Sequence, residues 1–206
     1  MKTNKNAAVL AKSTALEKGL YGLGQIGMNL CWTFMMMYVT MYYTDSVGIS
    51  AAVVGTVMLV ARLFDGAADV LCSMMFKRTH MKLGKIRPWF MIAAPLLGIS
   101  LIMSFNVPAD WSVSAKGIYV FVTYTFTAAV SYTIVSLAFA SFLPLLSYDP
   151  IDRTKVSSVG MLMTNSGVVV MNYITPILLA LNGGIQAPGA WRTVSLIYAV
   201  LSTVFV

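Results

Sequence analysis

Six long stretches of mostly apolar residues follow one another along this chain, near 21–43, 51–76, 88–106, 117–146, 156–181 and 193–206. A helix that crosses the hydrocarbon core of a bilayer needs about 20 such residues. The breaks between them carry charges or turn formers: "TDSVGIS", "KRTHMKLGKIRP", "NVPADWSVSAK", "SYDPIDRTK" and "LNGGIQAPGAWR". Only 10% of the residues are charged, where a soluble domain has about 25%. Such a chain cannot cover itself with polar groups, so the expectation is an all-α integral membrane protein. Residues 1–20 would form a polar segment and 21–206 a six-helix transmembrane domain. Pro88 suits the first turn of a helix, where its missing N–H costs nothing. Pro95, Pro144 and Pro176 fall inside spans and predict kinks.

The last stretch is short. After Arg192 only "TVSLIYAVLSTVFV" remains, about 21 Å of helix against about 30 Å of hydrocarbon. That length predicts a sixth helix cut short and a chain that is one piece of a longer protein.

The formal charge of +7 would point to nucleic acid in a soluble protein, but its placement points elsewhere. Eleven of the fourteen Lys and Arg residues fall in the N-terminal segment and in the second and fourth breaks. By the positive-inside rule those segments are cytoplasmic. The basic excess therefore sets topology in the plasma (inner) membrane, with a cytoplasmic N-terminus and no nucleic-acid partner. No apolar run with a small-residue cleavage site opens the chain, so no cleaved signal peptide is expected. Cys31 and Cys72 lie in apolar segments without further ligands at metal-binding spacing and read as small hydrophobes.

The second stretch breaks the apolar pattern with "ARLFDGAADV". At about 100° per residue, Arg62, Asp65, Asp69 and Ser73 share one narrow strip of a helix. A charge at mid-membrane costs about 2.5–3.5 kcal/mol. Three unpaired charges would approach the stability of a whole protein, about 5–15 kcal/mol. The strip must therefore face protein or water. A purely structural ion pair would leave one aspartate unexplained. Two carboxylates and one guanidinium leave a net charge of −1, which suits a small cation, Na⁺ or H⁺. Asp65 and Asp69 are the expected ligands, and no organic cofactor is expected.

Other polar residues lie within the spans. Tyr21, Gln25, Asn29 and Trp32 form one stripe of the first, where amides and an indole suit a polyhydroxylated ligand. The same residues would equally serve as glue between helices. On the fourth, Thr133 and Ser136 sit three apart beside Tyr132. The "FMMMY" run reads as packing filler and His80 as a solvated loop residue. An embedded enzyme is disfavoured, because the one histidine is in a loop and no nucleophile–base pair lies at depth. A carrier, an uncoupled facilitator and a non-transporting fragment or assembly module remain open on these residues.

The blocks "YGLGQIG", "YYTDSVGIS", "VGTVMLVARLFDGAADV", "LGKIRPW" and "TYTF", the stretch that continues through Ser136 to Pro144, and "DPIDRTK" resemble the glycoside–pentoside–hexuronide:cation symporters of the major facilitator superfamily. The resemblance runs from about Tyr21 to Lys155. It implies a twelve-helix carrier of two halves, with this chain as the N-terminal six-helix bundle, a 3+3 inverted repeat, and a C-terminal half as its missing partner. It further implies a cation site at Asp65 and Asp69 beside Arg62, helped by Thr133. A conformational latch would lie in Gly84, Lys85, Arg87 and Pro88. Expected substrate contacts are Asn29, Arg62, Tyr132, Ser136, Gln25 and Trp32, and the substrate is a small glycoside. Where melibiose-type members carry an asparagine, a tryptophan and an arginine, this chain has Ala68, Ala140 and Met161. Their sugar-binding aspartates match Asn29 and Ser136 here. These departures leave sodium and proton both open, while "DWSVSAK" and "FDGAADV" lean toward the glucuronide-permease type.

Overall fold

The computed structural model describes residues 13–78, 87–147 and 149–206. Helix α1 (Ala15–Met41) opens on a reciprocal cap. The Glu17 amide donates to Thr14 Oγ1 at 3.2 Å, while the Thr14 amide donates to Glu17 Oε2 at 2.7 Å. Those Thr14 donors hold the Glu17 carboxyl below its ordinary range. At its far end α1 runs into a π-turn over Tyr42–Ser46. Gly48, with φ of 77°, then makes the left-handed turn that releases the chain.

Helix α2 covers Ala51–Arg78 and α3 covers Arg87–Ser104, with Pro88 in its first turn as expected. Helices α4 (Val113–Thr125) and α5 (Thr133–Leu146) are halves of one rod, joined by a second π-turn over Phe126–Tyr132. Helix α6 (Pro150–Leu181) starts on an Asp149 cap with Pro150 in its first turn, and α7 spans Pro188–Phe205. Pro95, Pro144 and Pro176 all lie inside helices.

Several helices begin ahead of the apolar stretches they contain. The fourth rod starts at Val113 rather than 117, and the fifth at Pro150 rather than 156. The last helix starts at Pro188 rather than 193, because Pro188 nucleates it ahead of Arg192. Its 18 residues give about 27 Å of helix, close to the hydrocarbon thickness of about 30 Å.

Among the described residues three rods are long and apolar enough to cross a membrane: Ala51–Phe76, Val113–Leu146 and Pro150–Leu181, with Pro88–Ser104 apolar but shorter. Helix α1 carries the Gln25 and Asn29 stripe, and α7 contains Arg192. Residues that make a polar face lower the mean hydropathy of the helix that bears them.

The most extensive rod–rod contacts form a pattern that survives exchange of the first three rods for the last three. The first rod packs on the fifth as the fourth packs on the second. The first also packs on the sixth as the fourth packs on the third, while the third packs on the sixth. One end of the bundle closes on aromatics. Phe105 lies 4.7 Å from Phe34 and stacks on Trp191 at 5.9 Å, and the Tyr42 hydroxyl accepts the Val107 amide at 3.0 Å. The other end is tied by Asp152, whose Oδ2 accepts from the Ser13 amide at 2.8 Å. Its Oδ1 meets Lys18 Nζ at 2.6 Å. This clasp joins the starts of α1 and α6 and gives Lys18, counted above only toward topology, a partner in Asp152.

Between α3 and α7 the backbones approach at Gly98, where a Cβ would stand 2.6 Å from Thr203 Oγ1 and 3.1 Å from the Ala199 oxygen. Gly55 of α2 has open space instead. Gly98→Leu should lower thermal stability, with overpacking of this kind costing about 1–3 kcal/mol. Gly55→Leu should not, and melting both variants in the same detergent checks the difference.

Candidate functional site

The sequence places polar side chains on three rods, and the tertiary structure brings them to one flank. On α2, Arg62 Nη1 lies 3.5 Å from Asp65 Oδ2. The expected i, i+3 pair therefore forms, but the guanidinium side chain stays 54% exposed. It reaches across to α1, where Arg62 Nη2 donates to Met36 Sδ at 3.3 Å and the guanidinium sits 5.9 Å from the centre of the Trp32 ring. Met36 thus has a polar contact beyond the packing role given to its run. The signal was available, since Met36 follows Trp32 by four residues on the same stripe.

Asp69, one helical turn beyond Asp65, accepts a hydrogen bond from Thr133 Oγ1 of α5 at 2.9 Å. Thr133 is buried and Asp69 exposed, so the bond holds the carboxylate against the bundle. Asp65 is half-buried, and its Oδ1 is a buried oxygen with no hydrogen-bond partner. Two carboxylates, a hydroxyl and one guanidinium therefore meet on an open flank of the six rods. Their donors are hard oxygens, the kind that hold alkali cations or a proton. Among the described residues no three of His, Cys, Asp and Glu gather in one place.

Beside this strip Trp32 and Tyr132 stack face to face, with centroids 4.1 Å apart and planes at 17°. The indole and phenol thus cover one face of each other beside Arg62. Tyr132 is the last residue of the π-turn and Thr133 the first of α5. A π-turn admits one extra residue, which sets the rotation of everything after it. Here that rotation turns Tyr132 toward α1 and Thr133 toward α2. No apolar-period pattern in the sequence revealed it.

The remaining expected contacts are partly engaged. Gln25 Nε2 donates to the Tyr21 hydroxyl and Asn29 Nδ2 to the Gln25 carbonyl, both at 2.9 Å. The amides therefore bond within α1 rather than across helices, and both side chains remain half-buried. Ser136 Oγ donates to the Thr133 carbonyl at 3.0 Å. Gly84 and Lys85 of the expected latch lie outside the described residues, while Pro88 is buried at the start of α3. Cys31 is 1% exposed, although it stands two residues from Asn29 in sequence.

The family described as MFS/sugar transport protein matches residues 20–206. The chain belongs to this family of membrane transporters. Among similar curated proteins is the isoprimeverose transporter of Lactiplantibacillus pentosus, 33% identical over 91% of this chain and 39% of that protein. The inner membrane symporter YicJ of Escherichia coli K12 is 31% identical over 84% of this chain and 37% of its own length. The glucuronide carrier protein homolog of the same organism is 29% identical over 67% of the chain and 30% of its length. The glycoside–pentoside–hexuronide symporter resemblance is thereby supported, and an enzymatic role is set aside. This transporter chain spans less than two fifths of the length of these relatives.

If the flank is wet in the membrane, cysteines placed on it will find water. Arg62→Cys and Asp69→Cys should react with a charged methanethiosulfonate at least about tenfold faster than Leu63→Cys, because only a hydrated thiol ionises readily. Mass spectrometry of the labelled protein reads the ratio, with Cys31 expected to stay unmodified.

Proposed function

We propose that these six helices are the cation-binding half of a secondary active transporter that couples Na⁺ or H⁺ to the uptake of a glycoside. The observation that carries this reading is the charge of the strip. Asp65 and Asp69 exceed Arg62 by one negative charge, and Asp65 Oδ1 is buried without a donor. An unpaired carboxylate oxygen in a low-dielectric setting is costly until a proton or a small cation joins it. In this reading Asp65, Asp69 and Thr133 hold the cation, and Arg62 limits the charge left behind. The Trp32–Tyr132 stack receives the C–H face of a sugar, while Gln25, Asn29 and Ser136 meet its hydroxyls.

Coupling follows from adjacency. Arg62 touches both Asp65 and the Trp32 ring of the aromatic stack, so a cation that releases Arg62 from Asp65 also alters the surface offered to the sugar. Each ligand then favours the same state, and their effects on affinity are reciprocal. Alternating access needs a second six-helix body to rock against this one. The chain is read as working with such a partner, in an inner membrane, with its N-terminus in the cytoplasm. A glucuronide or a neutral glycoside would both fit the stack.

Asp65→Asn in the complete carrier should abolish concentrative uptake while sparing exchange at most. Uphill accumulation by that variant would overturn the cation-site assignment. Thr133→Val should weaken the apparent cation affinity about tenfold, the scale of one hydrogen bond to a charged group, whereas Thr133→Ser should stay near the parent. Sodium-jump and pH-jump uptake distinguish the two ions and expose an uncoupled facilitator, which would respond to neither. Liposomes holding this chain alone should show no flux of labelled glycoside above empty vesicles.

A further inference from the structure

Away from the charged flank, α1, α6 and α7 enclose a groove of about 550 Å³ lined by Ile26, Leu30, Leu162, Ser166, Val170 and Phe205 among others. It runs along α6 from Leu162 to Leu178, about 24 Å of helix. That is longer than one leaflet's share of the hydrocarbon core, about 15 Å. Its two hydroxyls are occupied: Ser166 donates to the Leu162 carbonyl at 2.9 Å, and the Tyr198 hydroxyl bonds Thr175 at 2.7 Å. The groove has nothing to offer a sugar or an ion.

One end of the groove is basic. Lys155 lies seven residues before Leu162 and eleven before Ser166, within about 20° of each around the helix and about 10 Å below the first. It is exposed and has no carboxylate within ion-pair reach among the described residues. The nearby Asp152 is already matched by Lys18 at 2.6 Å. The same face of α6 thus presents a free ammonium and, one or two turns further in, an apolar channel. A molecule with an anionic head and a long hydrocarbon tail fits that order.

We infer that this groove holds an acyl chain of an anionic phospholipid whose phosphate is bound by Lys155. On the open side of the groove Leu162 is 68% and Val170 55% exposed in this chain. The site is separate from the proposed cation strip and does not depend on it.

Native mass spectrometry of the chain in neutral detergent, offered equal amounts of phosphatidylglycerol and phosphatidylcholine, tests the assignment. The parent should retain phosphatidylglycerol roughly fivefold better, the scale of one lysine at an anionic surface. Lys155→Gln should erase the preference while keeping some of both lipids. Ser166→Phe, which fills the groove, should release both, and Leu196→Phe on the outer face of α7 should release neither. If Ser166→Phe loses helical signal in circular dichroism, Val170→Phe replaces it. Equal retention of the two lipids by the parent would overturn the inference, as would full retention by the filled variants. So would a parent dimer that these variants break without loss of lipid, since the groove would then be covered by a second copy.

Discussion

Placing three charges on one face of a membrane helix leaves few ways to fold around them. Each must find an opposite charge, a donor or water, because hydrocarbon offers none of these. Arg62 answers by pairing with Asp65 at 3.5 Å and by reaching α1 at Met36 and Trp32. Asp69 answers through the Thr133 hydroxyl on α5. The second rod is thereby tied to both the first and the fourth. The order of the six rods follows from these ties as much as from apolar packing.

That arrangement needs the fourth rod to present Tyr132 and Thr133 in different directions at adjacent positions. The π-turn at Phe126–Tyr132 sits immediately before them. It trades some helical hydrogen-bond regularity for a rotation that an uninterrupted α-helix would not reach. The π-turn at Tyr42–Ser46 works differently: it delivers Tyr42 into the aromatic end of the bundle, where it meets Phe105 and Trp191 at 5.3 and 5.6 Å. Both irregularities lie where side chains from three rods converge.

The two ends of the bundle are held by different means. Aromatic rings fill one end, and small residues such as Gly98 let α3 and α7 close up beneath it. At the basic end the Ser13–Lys18–Asp152 clasp fastens α1 to α6 with charge-assisted bonds. A firmly held first–fifth pair beside an openly charged second rod is a division between frame and site.

Much of this was legible in the residues. Long apolar runs dictate helices, because lipid leaves the backbone no other partner than itself. Helical periodicity alone put Arg62, Asp65 and Asp69 on one strip, since position around a helix depends only on sequence spacing. Pairings across rods were not legible in that way. The Thr133–Asp69 bond, the Trp32–Tyr132 stack and the Asp152 clasp join residues 64, 100 and 134–139 positions apart. No local rule constrains such distances; only the packing of whole helices brings those side chains into contact. The start of α7 at Pro188 and the phase of Tyr132 were likewise decided by cap and π-turn geometry. The sequence by itself determined which faces are polar. Tertiary structure decided which of those faces meet, because a charge in lipid is satisfied by whatever the neighbouring helix brings within reach.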